Sequence, residues 1–256
     1  MEYFEQTHTV LSSDVDGRRK VPISGILRLF QELTIAFTES AGVTRRETLD
    51  RGLLWVISRQ ELSMRQLPAY GEKLTLRCKA AKTLDVFFPR HYRLTGDCGA
   101  EVSGSALWLL IDEATRKPVY PRDRGIQLQE SSGTRGLMLP RPVSMPKRES
   151  DRKAREDRMR TCRVTVPRHL ADINGHMGNA GYFDLVEEFL TEDEYRDMPF
   201  GGVRVEYLQE VAPGTPLDVV CIRDGGDVYF EGDLARGEED PIAFRIAYLR
   251  ESCEAS

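Results

Sequence analysis

Apolar residues recur at three- and four-residue spacing from about Ser24 to Ala41, through Ile26, Phe30, Leu33 and Phe37, which predicts an amphipathic helix. Pro22 and Ser24 mark its start and Gly42 its end, the chemistry expected of an N-cap and of a left-handed residue past the last turn. The period then changes. Four runs rich in Val, Leu, Trp and Phe, near 53–66, 73–82, 86–95 and 101–112, are separated by Pro68, Gly71, Gly96 and Gly99 and read as strands. One helix followed by a sheet is an α+β plan. That plan recurs: a short strand at 161–166, a helix from about Asn179 to Leu190 with a stripe of Phe183, Val186, Phe189 and Leu190, then strands near 202–211, 216–223, 227–235 and 241–250.

The halves share residues as well as order. Arg59, Glu61 and Pro68 fall on Arg204, Glu206 and Pro213 at one common offset (204 − 59 = 145). Related turns, Asp14-Val15-Asp16-Gly17-Arg18 and Asp172-Ile173-Asn174-Gly175-His176, precede the two helices, so the match brackets each helix and implies a duplication. Between the halves, residues 141–160 hold eight Lys or Arg against four Asp or Glu and almost no aliphatic side chains. The expected organisation is an N-terminal unit at 1–138, a basic linker at 139–160 and a C-terminal unit at 161–256.

Composition narrows the classes. With 256 residues, 40% of them hydrophobic, the chain can bury two ordinary cores. Its start, MEYFEQTHTVLSSD, does not read as a signal peptide, and no apolar run is long enough to span a bilayer, so a cytoplasmic protein without a membrane span is expected. Cys78, Cys98, Cys162, Cys221 and Cys253 are odd in number, scattered and never arranged as CxxC. Neither a disulfide framework nor a zinc site is expected. A formal net charge of −5 argues against a nucleic-acid partner.

Candidate chemistry sits in the second pre-helix turn, where Asp172, Asn174 and His176 alternate along the chain. Each has a commonplace structural explanation alone. What distinguishes the turn is its partner in the first half, which has Asp16 and Arg18 where the second has Asn174 and His176. The following helix start, at Asn179 and Ala180, would present unsatisfied backbone N–H groups and a positive dipole end to a developing oxyanion. Lengths point to a general base. A helix over 179–192 covers about 20 Å at about 1.5 Å per residue, and a strand leaving Val203 at about 3.3 Å per residue comes level with its start near Gln209 and Glu210. Glu210 is the candidate base, and the common offset puts Arg65 at its place in the first half. Strict alternation aims Glu210 to the wrong face, so the reading requires a bulge between Leu208 and Val211.

Three stretches resemble the plant-type acyl-ACP thioesterases and their bacterial relatives: Leu54–Leu62 (LWVISRQEL), Asp172–Glu188 (DINGHMGNAGYFDLVEE) and Val205–Gly214 (VEYLQEVAPG). The resemblance implies a tandem (double) hot-dog fold, with two long helices each wrapped by antiparallel strands that can form one continuous sheet. It implies that the N-terminal unit shapes the acyl-chain pocket and that Asp172, Asn174, His176 and Glu210 in the C-terminal unit form the catalytic set. An acyl carrier protein would be the partner, no cofactor or metal is required, and either a monomer or a homodimer fits. Val211 stands where the plant pattern often has a cysteine after the acid, which excludes a cysteine nucleophile there and favours water activated by Glu210. The basic linker reads as solvated chain, with steering of an acidic carrier protein through Arg152, Lys153 and Arg155 as the functional alternative. Trp55, Trp108, Phe87 and Phe88 read first as core, and His8, His91 and His169 as structural. Acyl-CoA hydrolysis, dehydration of a hydroxyacyl thioester and non-catalytic acyl binding are the rival functions; no GxSxG supports a serine hydrolase.

Overall fold

The computed structural model describes residues 2–128, 130–146, 158–234 and 241–251. It divides into two compact units, Met1–Pro140 and Arg141–Ser256. The first contains β1 (Phe4–Thr9), α1 (Ile23–Ser40), α2 (Arg45–Asp50), β2 (Leu53–Gln66), β3 (Lys73–Ala80), β4 (Phe87–Gly96) and β5 (Glu101–Asp112). Its strands lie antiparallel in the order β1-β3-β4-β5-β2. The second contains β6 (Met159–Thr165), α3 (Gly181–Val186), α4 (Glu192–Asp197), β7 (Gly202–Tyr207), β8 (Pro216–Asp224), β9 (Asp227–Leu234) and β10 (Ile242–Leu249), in the order β6-β8-β9-β10-β7. In both units the first strand lies beside the third, followed by the fourth, fifth and second, so the duplication seen in shared residues extends to strand connectivity.

Helix α1 buries the predicted stripe of Ile26, Phe30, Leu33 and Phe37 and ends where Gly42, at φ +86°, carries its N–H back to the carbonyl of Glu39. Ser24 does not cap it. The N-cap is the extended Pro22, and Ser24 lies buried in the first turn, where its hydroxyl accepts from Arg28 Nη1. Strand β1 left no hydrophobic signal because most of its side chains are exposed. The basic linker's central part, with Arg152, Lys153 and Arg155, lies outside the described residues. Among those described, no helix is long and apolar enough to cross a membrane.

The second helix departs from the predicted 179–190 span. α3 has six residues and runs into one 3-10 turn, Glu187–Phe189. Two local commitments shorten it. The turn ahead of it already spends the Gly181 N–H on the carbonyl of Gly178. At the other end Leu190 is extended and Thr191 forms a reciprocal capping box with Glu194 that begins α4, while Arg223 Nη2 donates to the terminal carbonyl of Phe189.

Candidate active site

The turn preceding α3 is built around Asp172. One carboxylate oxygen accepts the Asn174 backbone N–H at 2.7 Å, and the other faces Asn174 Nδ2 at 3.4 Å. The Asp172 N–H donates to the carbonyl of His176 at 2.8 Å, and Gly175 closes the loop at φ +80°. Asp172 thus fixes the turn from Ile173 to His176, as expected for a carboxylate at its head. Gly178 lets the chain return close to it: a Cβ at 178 would lie 3.2 Å from Asp172 Cβ. Gly178→Val is therefore expected to push the Asp172 side chain away and to lower kcat by at least about tenfold while the protein still folds, since misplacement on the scale of an ångström costs about 100-fold. Steady-state kinetics beside circular dichroism checks this.

Glu210 arrives from the other side. Strand β7 ends at Tyr207 rather than continuing to 211 as expected. Immediately beyond, the N–H groups of Leu208 and Gln209 both donate to the carbonyl of Ala243, at 2.8 and 3.0 Å. Two consecutive donors on one acceptor insert one extra residue opposite β10, the signature of a bulge, and reverse the facing of the side chains past Gln209. The Glu210 carboxylate consequently turns towards the imidazole, with Oε2 3.7 Å from His176 Nε2. The two side chains are 39% and 27% exposed, so the pair borders solvent yet stays together.

Three further ties fix this approach. The Met177 N–H donates to the carbonyl of Val211 at 2.7 Å, Tyr207 Oη to that of Asn179 at 2.9 Å, and Tyr182 Oη to that of Gln209 at 3.4 Å. The tyrosine rings meet edge to face with centroids 5.2 Å apart. Burial, then the charges of Glu210 and Asp172, push the Tyr182 phenol up, so it remains a donor. Sequence reasoning missed both tyrosines because each reads as one more aromatic in an apolar stripe. Around the turn, the N–H groups of Met177, Gly178 and Gly181 are occupied by backbone carbonyls. Those of Asn179 and Ala180 take no protein acceptor among the described residues. They precede α3 rather than opening it, which corrects the expected helix start.

The equivalent place in the first unit is chemically closed. Arg18 clasps Asp16 through backbone and guanidinium at 2.8 Å, and Arg65 pairs with Glu101 at the surface. Elsewhere, Glu72, Asp97 and Cys98 come within 4.8 Å of one another. The Glu72 carboxylate, however, is taken up by the N–H groups of Ala69, Cys98 and Ala100, so the cluster reads as a turn brace rather than a metal site.

The family model for the acyl-ACP thioesterase N-terminal domain matches residues 1–123, and that for the C-terminal domain matches residues 153–248. The chain belongs to the acyl-ACP thioesterase family. Among curated relatives it is 21% identical over 233 residues to a chloroplastic dodecanoyl-[acyl-carrier-protein] hydrolase of Cinnamomum camphora, covering 87% of this chain and 60% of that one. To a chloroplastic palmitoyl-acyl carrier protein thioesterase of Cuphea hookeriana it is 20% identical, covering 86% of this chain and 55% of the other. The chain therefore spans little more than half the length of these relatives. Two solved structures each match with 97% of both chains covered: an acyl-ACP thioesterase from Bacteroides thetaiotaomicron (TM-score 0.77, 14% identity) and the 12:0-ACP thioesterase from Umbellularia californica (TM-score 0.74, 16% identity). At such identities the likeness establishes the fold, a double hot-dog, as the resemblance implied.

Proposed function

We propose that this acyl-ACP thioesterase family member hydrolyses fatty acyl-[acyl-carrier-protein] thioesters to free fatty acids, with the C-terminal unit supplying the chemistry and the N-terminal unit receiving the acyl chain. The observation that carries the reading is the 3.7 Å approach of Glu210 to His176 beside the turn that Asp172 organises. Glu210 removes a proton from water as the water oxygen bonds to the thioester carbonyl carbon. The negative charge gathered on the carbonyl oxygen is met by the N–H groups of Asn179 and Ala180, while Asn174 and His176 orient the water or the thioester. Collapse of the tetrahedral intermediate breaks the C–S bond, and the proton held by Glu210 passes to the departing thiolate. Val211 is fully buried and leaves no thiol at that position, which supports activation of water over a covalent acyl-enzyme.

Release of free fatty acid from carrier-protein and CoA thioesters of matched, graded chain length tests the proposal. The expected result is a kcat/KM at least about tenfold higher on the carrier-protein substrates, which recruit a protein surface in addition to the acyl chain. Equal or greater rates on CoA thioesters would reassign the carrier. Absence of cleavage on either would leave acyl binding without catalysis.

A further inference from the structure

Arg90 on β4 is 2% exposed, and among the described residues its side chain lacks the partners that burial of a charge demands. Nη1 donates to the carbonyl of Pro89 at 3.3 Å, the guanidinium carbon lies 5.6 Å from the centroid of the Phe37 ring on α1, and Nε has no hydrogen-bond partner. Among the described residues, Cys78 and Tyr92 act on it and burial holds both in their neutral forms, with the Cys78 thiol pushed up to about 12, while burial and then the charge of Arg90 push the neighbouring His91 imidazole down to about 4, so it too offers no negative charge. The nearby hydroxyls are engaged with one another: Thr34 and Tyr92 share a hydrogen bond of 2.7 Å, and Trp108 Nε1 donates to Tyr92 Oη at 3.0 Å. Across the sheet, Arg90 stands in register with Ala80 on one side and Ala106 on the other, and Ala106 with the buried Gln60. Both cross-strand partners of Arg90 are thus alanines, and none of these residues supplies an anion.

An unpaired buried cation is costly, and a buried N–H without an acceptor adds to the cost. Besides these hydroxyls and the Cys78 thiol, the neighbours placed on this face are apolar: Phe37 of α1 against the guanidinium and the buried Phe88 two residues away on β4. A plain hydrocarbon chain received there would leave Nε unmet, whereas an oxygen atom on that chain would satisfy it. We propose that Arg90 is a specificity-determining residue that donates a hydrogen bond to an acceptor oxygen carried on the acyl chain away from the thioester, making oxygenated acyl groups the preferred substrate class. The inference rests on the acyl-thioester reading above. Its structural rival is compensation of Arg90 by the carbonyl end of α1, whose last turn carries Phe37.

The test has two arms. In the first, kcat/KM is measured on carrier-protein thioesters of matched length that are plain, hydroxylated or oxo-substituted at graded positions, or carboxylated at the far end. The unmodified protein is expected to favour one oxygenated series by at least about tenfold, and Arg90→Met to lower that ratio by a similar factor, with Arg90→Lys intermediate. The series that wins identifies the oxygen. In the second arm, calorimetry follows binding of non-hydrolysable amide analogues of the corresponding acyl-pantetheines to the unmodified protein, which decides the matter even if Arg90→Met fails to fold. Discrimination in binding without cleavage of any thioester sustains the inference and overturns the hydrolase reading. Cleavage with plain chains equal to or better than every oxygenated one, and no preference in binding, overturns the inference and leaves the hydrolase reading standing.

Discussion

Glu210→Gln is expected to lower kcat by about 1000-fold, within the range of about 100- to 10,000-fold that general acid–base groups contribute, with KM changed only a few-fold. The substitution keeps the shape of the side chain and removes its ability to take a proton. It should not disturb folding, because Glu210 is 39% exposed and lies beyond the end of β7. Single-turnover release of fatty acid would separate the chemical step from product release. The internal duplication supplies a control: Arg65→Gln, at the corresponding place in the first unit, loses an exposed pair with Glu101 and should leave rate and stability nearly unchanged. Full turnover by the Glu210 variant would remove the base from the proposed mechanism.

The distance between base and imidazole is held by ties that all end on backbone carbonyls, one from a backbone N–H and two from tyrosine hydroxyls. Met177 to Val211 and Tyr207 to Asn179 are short bonds on carbonyls adjoining the working residues, and the third tie, from Tyr182, ends on the carbonyl beside Glu210. Side chains that border solvent are thereby carried on a frame with few degrees of freedom, which keeps a site in register without burying it.

The same features explain what could be read from the sequence. Helix α1 was legible because it presents one apolar face at a period of 3.6, and strands β2 to β5 because they are runs rich in Val, Leu, Trp and Phe bounded by turn residues, although β3 alone alternates throughout. The turn Asp172–His176 was legible because the first half provides a degenerate copy. Glu210 was reached by matching lengths, although the helix in that argument proved to be less than half as long, and the bulge it required is carried by Leu208 and Gln209 on one carbonyl. The end of α3 at Val186 was not legible, since the stripe continues through Phe189 and Leu190 while the break depends on the Thr191–Glu194 box and on Arg223, a residue distant in the chain. The tyrosine ties and the unpaired guanidinium of Arg90 were hidden for a related reason: hydrogen bonds across a fold leave no periodic trace.

Phe183→Ala is expected to destabilise the C-terminal unit by about 3–5 kcal/mol, the usual cost of deleting a fully buried phenylalanine, and thereby to consume much of a typical stability of about 5–15 kcal/mol. Phe183 is 0% exposed and packs edge to face on Tyr248 at 5.9 Å. Tyr248 in turn meets Phe200 at 5.2 Å and Phe230 at 6.0 Å and donates its hydroxyl to Glu187 at 3.0 Å. A helix of six residues has little stability of its own, so α3 exists because this aromatic cluster holds it. Its next-door residue, Tyr182, carries the tie to Gln209, and loosening the cluster should therefore lower turnover at temperatures where the unit remains folded. Phe189→Ala provides the contrast. That ring is only half-buried and lies 6.4 Å from Phe230, so its loss should cost clearly less in a urea titration monitored by tyrosine fluorescence. Equal costs for the two variants would show that α3 is anchored elsewhere.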